Sequence, residues 1–426
     1  MNYFNYKGED LWCEEVRVSQ IGEEVGTPFY LYSARTLTHH FRVFDEAFAD
    51  VPHILCFAVK SNSNIAILRT LINEGSGVDI VSGGELFRAM HAGVDPEKVV
   101  YSGVGKKTEE IEYALECGIL LFNVESSQEL VVINDCARKL GRVAAIALRV
   151  NPDVDPETHP HISTGLKKNK FGIDIQKSLE QYREAKKLSN LHIRGVSCHI
   201  GSQVTKVSPF VDALARLKKL IQLLRKDGIE IRYLDLGGGL GITYDQEQAP
   251  HPSEYAQAIM AASKDIHCTF IFEPGRVIVG NAGILVTKVL YTKSNEEKNF
   301  IIVDAGMNDL IRPSLYNSYH QIQPVIKKRK EEIIADIVGP ICESGDYLAK
   351  GRTVSKFDRG DLVAVMSAGA YGFTMSSNYN SRGRVPEVLV SNDRYYVIRK
   401  RETYADLMRG EVIPDYLTGT TRTHSL

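Results

Sequence analysis

Residues 54–85 read ILCFAVKSNSNIAILRTLINEGSGVDIVSGGE, and the fold turns on how this stretch is parsed. An apolar run, Ile54–Val59, stops at Lys60; a polar turn and a segment of helical period follow, and then a second apolar run, Gly77–Val81. Short apolar runs bounded by turn residues read as buried strands, and the segment between them reads as a crossover helix. The same unit recurs from about residue 27 to 280. Predicted strands are Ile54–Val59, Gly77–Val81, Val99–Ser102, Leu120–Val124, Ala144–Val150, Gly195–Ile200, Arg232–Leu236 and Thr269–Phe272.

The intervening segments carry apolar stripes that need a sheet to cover. Leu37, Phe41, Phe44 and Phe48 share one helical face, as do Phe210, Leu214, Leu217, Ile221 and Leu224. Helix ends are marked as well: Ser126 and Glu129 have capping-box spacing, Pro209 suits a first turn, and Gly141 and Gly228 suit helix stops. Eight parallel strands with crossover helices over about 250 residues make an α/β fold of the (β/α)8 TIM-barrel type. An open, doubly wound sheet is disfavoured, because no GxGxxG fingerprint with a ribose-binding acid follows the first strand. Past residue 280, β-branched and aromatic runs such as Gly283–Tyr291, Phe300–Val303, Asp361–Met366 and Tyr395–Arg399 predict an all-β domain. The expected division is therefore a barrel over 27–280 and a β-sandwich or β-barrel domain built from 281–426, with residues 1–26 adding a strand to it.

Composition narrows the function. The 426 residues are 43% hydrophobic and 24% charged, enough for a large core and more than one domain. Lys plus Arg (51) nearly balance Asp plus Glu (53), so no positive field points to nucleic acid or an anionic membrane. A small-molecule substrate fits better. The opening MNYFNYKGEDLWCEE has neither a basic nor an apolar leader region, and the chain has no run of about 18 apolar residues, so a cytosolic protein is expected. Seven cysteines without CxxC spacing suggest neither a disulfide framework nor a zinc site.

In such a barrel, chemistry gathers where strands end, and the residues there are unusually polar. Lys60 follows strand one; Asp79, Ser82 and Glu85 surround the end of strand two; His199 follows strand six; Gly237, Gly238, Gly239 and Gly241 follow strand seven; Glu273, Gly275 and Arg276 follow strand eight. At the mouth of the barrel Lys60 is expected to be partly desolvated, with a lowered pKa suited to imine chemistry. An ordinary solvated lysine is the competing reading. The glycine run and Gly275–Arg276 suit a phosphate, or a plain structural turn. Glu273, at the end of an apolar strand, needs a partner: a pyridinium nitrogen, or an internal arginine such as Arg149. His199 is either a satisfied core histidine or a ring that stacks on a planar cofactor.

In chain order, FAVKSNSN (57–64), GVDIVSGGE (77–85), SCHIGSQ (197–203), LDLGGGLGI (234–242), EPGR (273–276), RPSLY (312–316), GPICESGD (339–346) and AGAYG (368–372) resemble the signatures of the group IV pyridoxal-phosphate (PLP) decarboxylases, in particular those acting on diaminopimelate. The resemblance covers nearly the whole chain. It implies a PLP-bearing barrel followed by a β domain, in a homodimer with shared active sites. Lys60 would carry the cofactor as an imine, with Asp79 nearby, His199 stacked on the ring and Glu273 at the ring nitrogen. Ser202, Gly239, Gly275 and Arg276 would surround the phosphate. Arg276, Arg312, Tyr316, Glu343 and Tyr371 would contact substrate, and Tyr371 also cofactor. Cys342, otherwise an ordinary buried thiol, would be the acid that reprotonates the product, and Cys342 and Glu343 would come from the partner subunit. The two arginines, unless they form structural ion pairs, suit a second carboxylate, and Glu343 a distal ammonium. The implied reaction is decarboxylation of meso-diaminopimelate to L-lysine. Two departures are noted: Ser61 stands where many relatives have alanine, and Asn151–Gly172, with His161, Thr164, Gly165 and Phe171, is long enough to be a functional loop.

Overall fold

The fold is described by a computed structural model for residues 2–155, 170–328 and 331–418. Eight strands close on themselves: β1 (His53–Ala58), β2 (Gly77–Ile80), β3 (Val99–Tyr101), β4 (Leu121–Val124), β5 (Ala144–Asn151), β6 (Leu191–Ser197), β7 (Tyr233–Asp235) and β8 (Thr269–Phe272). Each pairs in parallel with the next, and β8 returns to β1. Closure leaves no unpaired edge.

The amphipathic stripes face the barrel as expected. The helix Ala34–Ala47 buries Leu37, Phe41 and Phe44, and Phe48 at its end packs on Phe272 with ring centroids 4.1 Å apart and planes tilted by 34°. The helix Ser208–Lys226 buries Phe210, Leu214, Leu217, Ile221 and Leu224. Ser126 caps Ser127–Lys139 by accepting from the Glu129 amide, while Gly141 and Gly228 take φ of 63° and 67° just past their helices. The sixth strand lies earlier than predicted: it runs Leu191–Ser197, not Gly195–Ile200. Beyond that point the backbone turns to meet the glycine run, with Val204 N–H donating to the Gly239 carbonyl.

The second unit is built on Gly283–Ser294. Its first half pairs with Phe29–Ser33 on one side and Leu362–Val365 on the other, and its second half pairs with Asn299–Val303. Glu332–Val338, Tyr347–Ser355, Glu387–Ser391 and Arg394–Arg399 extend this sheet. Phe29–Ser33 fell inside the predicted barrel segment, yet it lies in this sheet. It is buried at every position, so it lacks the alternation that would have assigned it. The preceding residues form a separate antiparallel sheet of Phe4–Lys7, Asp10–Cys13 and Val16–Arg17, whose Leu11 and Val16 pack with Phe29, Leu31, Val286 and Val388. A single apolar cluster runs from Phe272 and Ile278 of the barrel to Leu285 and Val303, and so seats the β-rich unit against the barrel. His161, Thr164 and Gly165 lie outside the described residues, and with them any closure of the Asn151–Gly172 loop.

Phe272 sits among Phe44, Phe48, Tyr255 and Phe270. Phe272→Ala is expected to cost about 3–5 kcal/mol of stability in urea unfolding of the cofactor-free protein; a loss under 1 kcal/mol would show that this cluster does not hold helix to barrel.

Candidate active site

The strand ends bring the predicted residues together. Lys60 lies in a single turn just past β1 and pairs with Asp79, which is fully buried on β2. The lowered pKa expected for Lys60 is not found. Burial pulls it down, but the carboxylates of Asp79 and Glu273 outweigh burial and raise it. Apolar context alone had hidden this, because the acids come from other strands.

Glu273, just past β8, is buried and accepts hydrogen bonds from Ser102 Oγ (3.2 Å) and Asn123 Nδ2 (3.3 Å). The alternative partner is excluded: Arg149 is paired with Glu125 at 2.7 Å. Glu273 instead hydrogen-bonds Asp235, which also accepts from Asn123 Nδ2 at 2.6 Å and from Gly237 N–H at 2.8 Å. Burial first, and then the adjoining carboxylates, push Glu273 well above the usual range, and burial raises Asp235 too. Asp235, Asn123 and Ser102 were missed by the sequence reading. The available signal was a polar residue inside an apolar strand, as in LDL (234–236) and FNV (122–124).

His199 lies beyond the end of β6, on the loop. Gly238 N–H donates to its Nδ1 at 3.2 Å, so the ring proton of the neutral form resides on Nε2. Burial, Arg149 and Lys60 lower its pKa strongly, which keeps it neutral. The adjoining glycines are required by space: a Cβ on Gly237 would stand 2.7 Å from the Cys198 carbonyl oxygen, and Cβ atoms on Gly238 and Gly239 would collide with the carbonyls of Glu273 and Gly201. Gly275 faces Ser61, whose hydroxyl would be 3.0 Å from a Cβ there. A small residue at 61 is thus needed, and serine meets the need. Ser82 and Glu85 prove to be helix-capping groups: Ser82 Oγ accepts from Glu85 N–H and Glu85 from Val81 N–H.

A second, cationic cluster adjoins the first. Arg276 is buried, donates to Tyr244 OH (2.7 Å) and Ser202 Oγ (3.2 Å), and lies 4.9 Å from the Tyr371 ring centroid. Arg312, at the head of the short helix Arg312–Tyr316 from the β-rich unit, is buried and donates to His320 Nε2 at 2.9 Å. Neither guanidinium has a carboxylate partner among the described residues, and Nε of each is buried without a partner. The ion-pair reading is therefore set aside. Tyr371 takes a φ of 55°, a conformation of low population, and its amide donates to the Ser61 carbonyl, which links it to the turn of Lys60. Tyr316 is half-buried near Arg276. Cys342 and Glu343 stand apart. Both are exposed on the β-rich unit, where Cys342 N–H donates to Asn380 and Glu343 accepts from Tyr379 OH; no hydrogen bond or ion pair among the described residues joins them to Lys60. Cys342 is the exposed member of the seven cysteines, all of them free, and not a buried thiol.

Known proteins fit this arrangement. Residues 34–280 match the family described as pyridoxal-dependent decarboxylase, pyridoxal binding domain, which sets the class. A Haemophilus influenzae relative named diaminopimelate decarboxylase is 53% identical over 409 residues, spanning 96% of this chain and 98% of its own. The crystal structure of diaminopimelate decarboxylase from Helicobacter pylori complexed with L-lysine is 44% identical and superposes with a TM-score of 0.89 over 92% of this chain and 98% of that one. The M. jannaschii enzyme in co-complex with L-lysine is 39% identical, with a TM-score of 0.93 over 97% and 98%. The chain belongs to the diaminopimelate decarboxylase family.

The residues present fit PLP. Three buried acids against one lysine leave room for a further cation such as a protonated ring nitrogen. The glycine-lined turns and the free Arg276 Nε suit a phosphate. Among the described residues there is no metal-binding cluster, and no helix is long and apolar enough to cross a membrane.

A raised carboxyl pKa means that the folded protein retains a proton the unfolded chain releases above its ordinary value of about 4.3. The associated stability is full below that pH and is lost as pH rises toward the folded-state value. In thermal melts of cofactor-free protein between about pH 5 and 8, Glu273→Gln is expected to lose less stability with rising pH than the parent. Parallel curves would contradict the raised Glu273 carboxyl.

Proposed function

We infer that this chain, with PLP bound, removes CO2 from meso-2,6-diaminopimelate to give L-lysine, the last step of lysine biosynthesis, as a homodimer in the cytoplasm. One observation carries the substrate assignment: two buried guanidiniums, Arg276 and Arg312, lie beside the Lys60 cluster without a carboxylate of their own among the described residues. Such a pair suits a substrate that has a second carboxylate, bound by charge-assisted hydrogen bonds. Ornithine and arginine have none. The 53% identical relative and the two lysine-bound structures support the same reading.

When bound, PLP supplies the electron sink for the carbanion left by departing CO2. Lys60 would hold its aldehyde end, with Asp79 keeping the ammonium form in reserve. Glu273, hydrogen-bonded to Asp235, would face the ring nitrogen, and neutral His199 would lie on the ring face. Ser202, Gly239, Gly275 and Arg276 would enclose the phosphate, and Tyr371 would adjoin it. Arg276, Arg312, Tyr316 and Tyr371 would orient the substrate. Glu343 would take its distal ammonium, and the Cys342 thiol would deliver a proton to the carbon that has lost CO2.

Exposure of Cys342 and Glu343 supports a shared site in which these two residues of one subunit complete the cavity of the other. The seven free cysteines suit a reducing compartment. Lys60→Ala is expected to abolish both the visible absorbance of lysine-bound PLP and CO2 release, and Cys342→Ala to lower turnover by about 10²–10⁴-fold. Mixing the two variants should restore up to about a quarter of parental activity through hybrid dimers with one intact site. No restoration, with hybrids shown to form, would contradict the shared site.

A further inference from the structure

The arginine cluster contains a residue for which none of the family motifs read from the sequence provides a role. Tyr244 follows the glycine run on the loop after β7, and the loop around it is built rather than slack. The Glu247 carboxylate accepts from the amides of Tyr244 (2.8 Å) and Asp245 (2.9 Å). The Gln203 side chain grips Ile242 on both sides, accepting from its N–H at 3.1 Å and donating to its carbonyl at 2.5 Å. Gln203 adopts a φ of 58°, a conformation such a residue takes only when its surroundings impose it. The result is a fixed side chain with two different working parts. Its hydroxyl oxygen accepts from Arg276 Nη1 at 2.7 Å and also acts on Arg312, whose guanidinium lies 4.6 Å from its ring. Arg276 comes from the barrel and Arg312 from the β-rich unit.

Two buried cations repel each other, and with no acid between them among the described residues something else must set their separation. A phenol does so without neutralising either, through an acceptor oxygen for one and an electron-rich ring face for the other. Arg312 is fixed from behind by His320. Its Nδ1 donates to the Met366 carbonyl at 2.8 Å, which leaves Nε2 to accept from Arg312 at 2.9 Å. Burial and Arg312 push His320 down to about 3, so it remains an acceptor throughout the neutral range. His320 also meets the Tyr244 ring edge-on, at 5.4 Å between centroids and 77° between planes.

We propose that Tyr244 is the positioning residue of the substrate-carboxylate site: its hydroxyl places Arg276, its ring together with His320 places Arg312, and the two guanidiniums are thereby held apart as a ready clamp for the carboxylate at the non-reacting end of the substrate. This rests on the substrate reading above. L-Lysine, the product, retains that carboxylate and so serves as an equilibrium probe of the clamp.

The test compares parent, Tyr244→Phe and Tyr244→Leu holoenzymes. Tyr244→Phe retains the ring and removes the hydroxyl that accepts from Arg276 and also acts on Arg312. It is expected to raise the KM for meso-diaminopimelate and weaken L-lysine binding about tenfold each, the effect of one charged hydrogen bond, while kcat falls less than about threefold and the cofactor absorbance is unchanged. Tyr244→Leu, which loses the ring as well, should raise KM further. A phenylalanine variant with parental KM and lysine affinity overturns the proposal, as does a loss of kcat and cofactor binding without a KM effect, the pattern of a merely structural residue. Failure of the parent itself to turn over meso-diaminopimelate would instead overturn the substrate reading beneath it.

Discussion

Asp79, Asp235 and Glu273 are sealed inside the barrel, and among the described residues Lys60 is the cation that pairs with this group; much of the surrounding structure manages that imbalance. Burying a carboxylate is costly unless a charge or hydrogen bonds compensate it. Asp79 takes the lysine. Asp235 and Glu273 draw on the donors Asn123, Ser102 and Gly237 N–H. The closed barrel makes this possible, because β2, β3, β4, β7 and β8 end around one volume and each contributes a polar group to it. The unsatisfied Asp79 oxygen marks a site poised for a cationic ring.

The second constraint is the join between the two units. Arg276 leaves the end of β8, whereas Arg312 arrives on its short helix, and His320 and Tyr371 on loops, of the β-rich unit. Contact between them runs through Tyr244, the strained backbone of Tyr371 and its hydrogen bond to the Ser61 carbonyl, one residue from Lys60. A cationic pocket assembled from both units beside an anionic pocket inside one of them gives the site its polarity. One end suits a ring nitrogen and an amine, the other carboxylate and phosphate.

Much of this was legible in the sequence. Runs such as Gly77–Val81 and Thr269–Phe272 betray strands because buried parallel strands are continuously apolar, and Lys60, His199, Glu273 and Arg276 stand out because they break such runs at their ends. Asp235 and Asn123 were less visible, each a polar position inside a strand whose partners come from other strands, the two themselves standing 112 residues apart. Tyr244 carries no local signal, since an aromatic on a loop after a turn is commonplace. Phe29–Ser33 was misplaced for a related reason: a strand buried on both faces looks alike in a barrel and in a mixed sheet. The lysine pKa went astray because the local pattern reports burial but not the charges other strands bring.

The most direct measurement is to supply the PLP-loaded protein separately with meso-diaminopimelate, carboxynorspermidine, ornithine and arginine, and to quantify CO2 and the amine product from each. L-Lysine and CO2 from the first substrate, with little or none from the others, is the result the account requires. CO2 from ornithine or arginine in preference would show that the two guanidiniums do not select a second carboxylate, and the absence of CO2 from all four despite bound PLP would contradict a decarboxylase altogether.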